Sequence, residues 1–186
     1  RECYSLRIIR GKKELNKVLG ADENFHTFSV LVENEAGVLA RVIGLLSGRG
    51  YNIESLTVAE VDEPNRLSKI TVVSSGTKMV LEQIRAQLDR LVPVRAVSDL
   101  TVDGPSVERE LALVKVKGEG DSRVESLRIA DIFRAHVVDS TNSSFVFEIV
   151  GSTQKLDAFI DLMKPLGLVD LSRTGVVAIS RGPEPI

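Results

Sequence analysis

A chain of 186 residues, 43% of them apolar and 27% charged, is long enough to bury one core or two small ones, which excludes disordered and fibrous classes. Its 24 basic and 26 acidic residues give a net charge of −2, without the basic surplus that nucleic-acid binding requires. A single cysteine, Cys3, excludes an internal disulfide or thiolate metal site, and no apolar run reaches bilayer-spanning length, so no membrane partner is expected.

No signal-peptide pattern is present, and the expected location is the cytoplasm, although a start at Arg1 instead of Met leaves room for an address ahead of it. Residues 1–24 read as a leader, apolar over Cys3–Ile9 and charged over Lys12–Leu19. Gly11-Lys12-Lys13 lacks the upstream glycine and the following Ser or Thr of a phosphate loop, so a solvated charge run is the reading there.

The β-branched run Phe28-Ser29-Val30-Leu31-Val32 predicts a strand buried on both faces. Asn34-Glu35-Ala36-Gly37 is a tight turn, and Val38, Leu39, Val42, Ile43 and Leu46 then recur at helical spacing. After Gly50-Tyr51-Asn52 come a strand over Ile53–Val61, a turn over Asp62–Arg66 and a returning strand over Leu67–Ser74. Gly76-Thr77 opens a helix with the stripe Leu81, Ile84, Leu88 and Leu91, which Pro93 ends. A strand over Val94–Val102 closes the unit, and Asp103-Gly104-Pro105 is the best domain boundary.

The same order then repeats. Leu111–Lys117 is a strand, Ser122–Arg134 a helix, and Ala135–Asp139 with Ser144–Val150 a hairpin around Thr141-Asn142-Ser143. In the next helix Gly151, Leu156, Phe159, Met163 and Leu166 match Gly76, Leu81, Ile84, Leu88 and Leu91 at one constant offset. The fold class is therefore α+β, with two βαββαβ units.

Chemistry is sparse. His26 reads as a surface residue ahead of the first strand and His136 as the start of another, and neither has a partner at metal-ligand spacing, so no metal site is expected. No nucleophile elbow, Cys–His pair or paired-carboxylate pattern stands out, so no catalytic residue is assigned. Leu67–Val73 carries no stacking aromatic, which argues against an RNA-binding module of this topology, and Glu35 argues against a small hydrolase with a phosphate-cradling turn.

The Asn34 turn offers the best candidate site. A helix that starts abruptly leaves its first N–H groups unpaired and carries a partial positive charge, which suits a carboxylate. Gly37 permits close approach to the main chain, and Asn34 offers an oxygen to an ammonium group, so together they fit an α-amino acid. The same residues also make an ordinary strand-to-helix turn, with Asn34 bonded to its own backbone. Gly118-Glu119-Gly120-Asp121-Ser122, at the equivalent place in the second unit, reads as a flexible turn.

Several stretches carry a resemblance: Asn34-Glu35-Ala36-Gly37-Val38-Leu39, Arg41-Val42-Ile43-Gly44-Leu45 and Arg49-Gly50-Tyr51-Asn52-Ile53-Glu54-Ser55-Leu56 in the first unit, with Leu81-Glu82-Gln83-Ile84 further on. Val107-Glu108-Arg109-Glu110-Leu111, Ile132-Phe133-Arg134-Ala135 and Ser172–Arg181 continue it in the second. Together they resemble the regulatory small subunit of acetohydroxyacid synthase (acetolactate synthase). The resemblance implies two ferredoxin-like units, an ACT domain over 25–103 and a C-terminal unit over 105–186. It implies a non-enzymatic subunit of branched-chain amino-acid biosynthesis, a homodimer through ACT domains that activates the catalytic large subunit and transmits feedback inhibition by valine, with leucine or isoleucine as alternative effectors. No cofactor of its own is implied, since thiamine diphosphate, FAD and Mg belong to the catalytic subunit. The effector would lie between two chains, against Asn34, Ala36, Gly37, Val38 and Leu39 of one and Asn52 and Ile53 of the other. An ACT-domain sensor controlling a different enzyme is the alternative.

Overall fold

Residues 24–183 are described by the computed structural model; the leader read over 1–24 lies, but for Asn24, outside them. Internal contacts divide the chain into two compact units, the second spanning Ser106–Arg181. The first contains β1 (Asn24–Glu33), α1 (Val38–Gly48), β2 (Asn52–Asp62), β3 (Leu67–Gly76), α2 (Lys78–Leu88) and β4 (Val94–Asp99). The second contains β5 (Ser106–Lys117), α3 (Gly120–Phe133), β6 (His136–Ser140), β7 (Ser144–Gly151), α4 (Thr153–Met163), a 3-10 turn at Lys164–Leu166, β8 (Leu168–Arg173) and β9 (Val177–Ser180).

Alternation at period two decides which face of the first sheet meets the helices. Phe28, Val30 and Val32 of β1 pair across the ladder with Val72, Ile70 and Ser68 of β3, and the apolar members are buried against Val38, Val42 and Leu46 of α1 and Leu81, Ile84 and Leu88 of α2. On its other face β1 also buries Thr27 and Ser29. The strand order β2-β3-β1-β4, with every neighbour antiparallel, is the ferredoxin-like arrangement expected. Asp62 anchors the β2–β3 turn: its carboxylate accepts from the side chain and then the backbone of Asn65, which together hold it below the usual carboxylate range.

The second sheet has the equivalent order β6-β7-β5-β8. Its core is richer in aromatics: Phe147 meets Phe159 edge-on at 6.1 Å, and Phe133 lies 5.5 Å from Phe159. The repeat extends to helix caps. Thr77 and Ser152 share φ −70° and ψ 156°, and each hydroxyl accepts the N–H three residues on, from Val80 at 3.4 Å and Lys155 at 3.3 Å.

Some sequence expectations require correction. His26 is inside β1, not ahead of it, and its side chain is only 15% exposed because Nδ1 meets the buried Asp99 carboxylate at 2.5 Å. Helix α2 stops at Leu88, short of Pro93, as the chain turns so that Leu91 and Val94 pack on the core and the Pro93 carbonyl accepts the Glu33 N–H. Strand β9 has no counterpart among the strands read from the sequence. It pairs with the first half of β5, which begins at Ser106, ahead of the expected start at Leu111.

Where β5 passes from β9 to β8, the buried carboxylate of Glu110 receives Nε and a terminal nitrogen of Arg173 at 2.7 and 2.6 Å, while Arg173 also donates to Asp157 of α4 at 2.7 Å. These hydrogen bonds, that to Glu110 first, hold the guanidinium above its usual range despite partial burial. Removing the arginine leaves Glu110 buried without a counter-charge. Arg173→Met is expected to lower unfolding free energy by about 3 kcal/mol in urea titration, more than Glu110→Gln with Arg173→Met combined. Gly167 has φ +104°, and a Cβ there would overlap the Lys117 carbonyl oxygen. Gly167→Ala should therefore unfold the second unit preferentially, seen as lost amide protection on β5 with β1 retained.

Candidate functional site

Asn34 leaves β1 at the point where the β1–β3 ladder runs out. Its N–H still reaches the Arg66 carbonyl at 2.6 Å, one step beyond the Glu33–Leu67 pair, so the turn is pinned to the β2–β3 hairpin. Arg66 itself has φ +53° and donates to the Asn34 carbonyl at 3.4 Å. Gly37 then takes φ +86°, a left-handed conformation that favours glycine, and α1 begins at once.

That start is uncapped. No side chain accepts from it, the Val38 N–H goes to the Glu35 carbonyl at 3.2 Å, and the Leu39 and Ala40 N–H groups have no acceptor among the described residues. A Cβ added to Gly37 would meet nothing within 4 Å, so the space over the turn is open. Ala36 and Gly37 are exposed, Leu39 is half-buried, and Val38 is in the core, contributing main chain and not a pocket wall.

The Asn34 side chain does not fold back onto its own backbone. Its Nδ2 donates to Glu60 Oε1 at 3.0 Å, near the far end of β2. Asn52 opens β2 at the other end, with Nδ2 donating to Glu54 Oε1 at 2.5 Å and Ser75 Oγ at 3.2 Å and its carbonyl accepting from Ser74. Eight steps along the strand separate Asn52 from Glu60, about 26 Å at the usual rise per residue. The structure thus brings Asn34, Ala36, Gly37, Val38 and Leu39 together and leaves Asn52 and the half-buried Ile53 at the opposite end of the same sheet.

Chemically, the turn offers main-chain N–H donors at the start of α1 and, on Asn34 and the Glu60 carboxylate bonded to it, oxygen acceptors, the complement of a zwitterion. Sequence reasoning missed Glu60, Arg66 and Ala40. The first two could have been found by running the hairpin register back from Asp62–Arg66, which lays that turn beside the end of β1. Among the described residues no three His, Cys, Asp or Glu side chains group to hold a metal ion, and no helix is long and apolar enough to cross a membrane.

Two family patterns match the chain, "AHAS small subunit-like ACT domain" over residues 28–96 and "Small subunit of acetolactate synthase" over residues 109–182. The acetolactate synthase isozyme 3 small subunit of Escherichia coli is 49% identical over 155 residues, covering 83% of this chain and 94% of that one. The acetolactate synthase small subunit of Haemophilus influenzae is 46% identical over 159 residues, 85% of this chain and 96% of that one. The crystal structure of the acetolactate synthase small subunit from Thermotoga maritima superposes with a TM-score of 0.77 at 36% identity, over 87% of this chain and 99% of that one. Near-complete coverage at such identity, on both units at once, places this chain in the family of acetolactate synthase small subunits.

Proposed function

We propose that this chain is a non-catalytic regulatory subunit that assembles with the catalytic large subunit of acetolactate synthase, raises its activity and transmits feedback inhibition by valine in branched-chain amino-acid biosynthesis. The carrying observation is the position of the two motifs at opposite ends of β2. Strand β2 stands at one end of the sheet order among the described residues and exposes Val58 and Val61. An end strand can take another strand by main-chain pairing. Two β2 strands paired antiparallel about a two-fold axis bring Asn52 of each chain to the Asn34 turn of the other, which one chain cannot do alone.

The effector then lies between ACT domains. Its carboxylate meets the uncapped N–H groups after Gly37, its ammonium group meets the Asn34 oxygen and Glu60, and its side chain lies against Ala36 and Leu39 with Asn52 and Ile53 of the second copy closing the pocket. Valine fits the small size of that wall. Leucine differs by one methylene, worth about 0.8 kcal/mol, so discrimination between the two is modest.

Asn34→Ala removes an ammonium acceptor. Gly37→Asp sets a carboxylate where the ligand carboxylate would sit, in open space though at φ +86°, which strains a residue other than glycine. Isothermal titration should show saturable heat with L-valine for the parent chain and none for either variant, while both still activate the large subunit; retained inhibition by valine in either would remove the assigned pocket. Reciprocity sets a second expectation. If valine weakens the activating contact, the large subunit weakens valine binding by the same factor, read as a shift in valine Kd when the titration is repeated on the complex.

A further inference from the structure

Strand β5 is apolar on both sides. Its even positions Ala112, Val114 and Val116 are buried with the core side chains of α3 and α4, as a ferredoxin-like sheet requires. Its odd positions Val107, Leu111 and Leu113 turn to the face that neither helix covers, where alternation should favour polar side chains. Register adds β7 and β9 to that face, since Val150 pairs with Leu111, Val146 with Lys115, Val177 with Arg109 and Ile179 with Val107. Leu113, Val150, Val177 and Ile179 are between 40% and 58% exposed. A continuous aliphatic band of this kind, unlike scattered surface residues, marks an interaction surface. The fold does not demand it: the corresponding face of the first sheet carries the hydroxyl side chains of Thr27, Ser29, Thr71 and Ser75.

Charges on the same face sort by strand. Arg109, Lys115 and Lys117 stand on β5, whereas Asp139, Glu148 and Asp170 stand on β6, β7 and β8. A row of bases between acids, balanced in sum, suits neither an anionic membrane nor a polyanion. It suits its own copy displaced by one strand, and the charges of that partner are those of this chain.

We propose that this face packs against the same face of a second copy, about a two-fold axis parallel to the strands and between β5 and its neighbours β8 and β9. Sheets stacked in this way lie about 10 Å apart, with strands within roughly 30° of each other. The axis exchanges registered neighbours, so Lys115 of each copy lies over Asp170 of the other and Val107 over Ile179, with Leu111 and Leu113 enclosed between them. Within one chain Lys115 and Asp170 are only loosely joined, at 4.0 Å. The contact is separate from β2 pairing and stands without the effector reading.

Sedimentation velocity on the full chain tests it, in a Val58→Lys background that puts a charge on the β2 edge and blocks pairing there. The background chain should still dimerise. Leu113→Asp and Ile179→Asp should each abolish that step, with the urea midpoint unchanged because both side chains are exposed. Lys115→Glu and Asp170→Lys should each weaken it about tenfold, and less at high salt. Mixed in equal amounts, the two charge variants should regain most of the lost affinity, because each mixed pair restores two attractive contacts between copies while position 115 faces a like charge within each chain. A purely structural role for either residue would not give that recovery. A background chain that stays monomeric overturns the proposal and leaves the face to a different protein. Dimerisation that Leu113→Asp and Ile179→Asp both leave intact overturns it too, as does a mixture no tighter than its components.

Discussion

The register of β1 against β3 governs the rest of the first unit. Because helices cover one face of the sheet, Phe28, Val30 and Val32 must share that face with Ile70 and Val72, and a slip by one residue between the strands would turn one strand's apolar set away from α1 and α2. The same register sets Glu33 opposite Leu67, which leaves the Asn34 N–H facing the Arg66 carbonyl and the Asn34 side chain beside Glu60. Core packing thereby fixes the position of the turn, and the turn fixes where α1 begins. Site geometry follows from apolar burial more than from any polar contact at the site.

The two units share a plan and differ at the equivalent turn. Both second helices have the same cap, down to φ and ψ, and both cores place aliphatic or aromatic side chains at the same helical positions. In the first unit the strand-to-helix turn closes over Gly37 and leaves helix N–H groups open. In the second, α3 starts after Glu119 in an extended conformation, the Ser122 hydroxyl donates to the Glu119 carbonyl, and Arg123 lies over the Phe145 ring at 3.8 Å. That end of the sheet carries the chain's own side-chain contacts, so the repeat duplicates the scaffold and not the open turn.

Most of this architecture is legible in the sequence because each unit obeys simple periods. A β-branched apolar run marks β1, hairpin turns mark β3 and β7, alternation marks the second half of β5, and the stripe Leu81, Ile84 and Leu88 marks α2 and, through the repeat, α4. What escaped depends on contacts distant in sequence. His26 looks like a surface residue until β4 brings Asp99 to it, 73 positions away. Strand β9 has only four residues and no alternation of its own, and it exists because the first half of β5 offers it a partner. Glu60 is one of 26 acidic residues, and nothing local distinguishes it from the others. Arg173 and Glu110 are likewise ordinary charges until the ladder sets them together.

A pocket divided between two copies has a thermodynamic consequence that a pocket within one chain lacks. Under the proposed arrangement valine binds only where two β2 strands are joined, so ligand binding and dimer formation are one linked equilibrium, and each stabilises the other by an amount set by free ligand relative to its dissociation constant. An effector bound wholly inside one unit would have to deform a packed core to be sensed elsewhere, and cores of this density resist small deformations. An effector at the junction of two sheets needs only to favour one pairing of two rigid bodies over another. In that proposed arrangement Asn34 and Asn52, a strand's length apart in one chain and adjacent across two, would convert occupancy by a small zwitterion into a preference between quaternary arrangements.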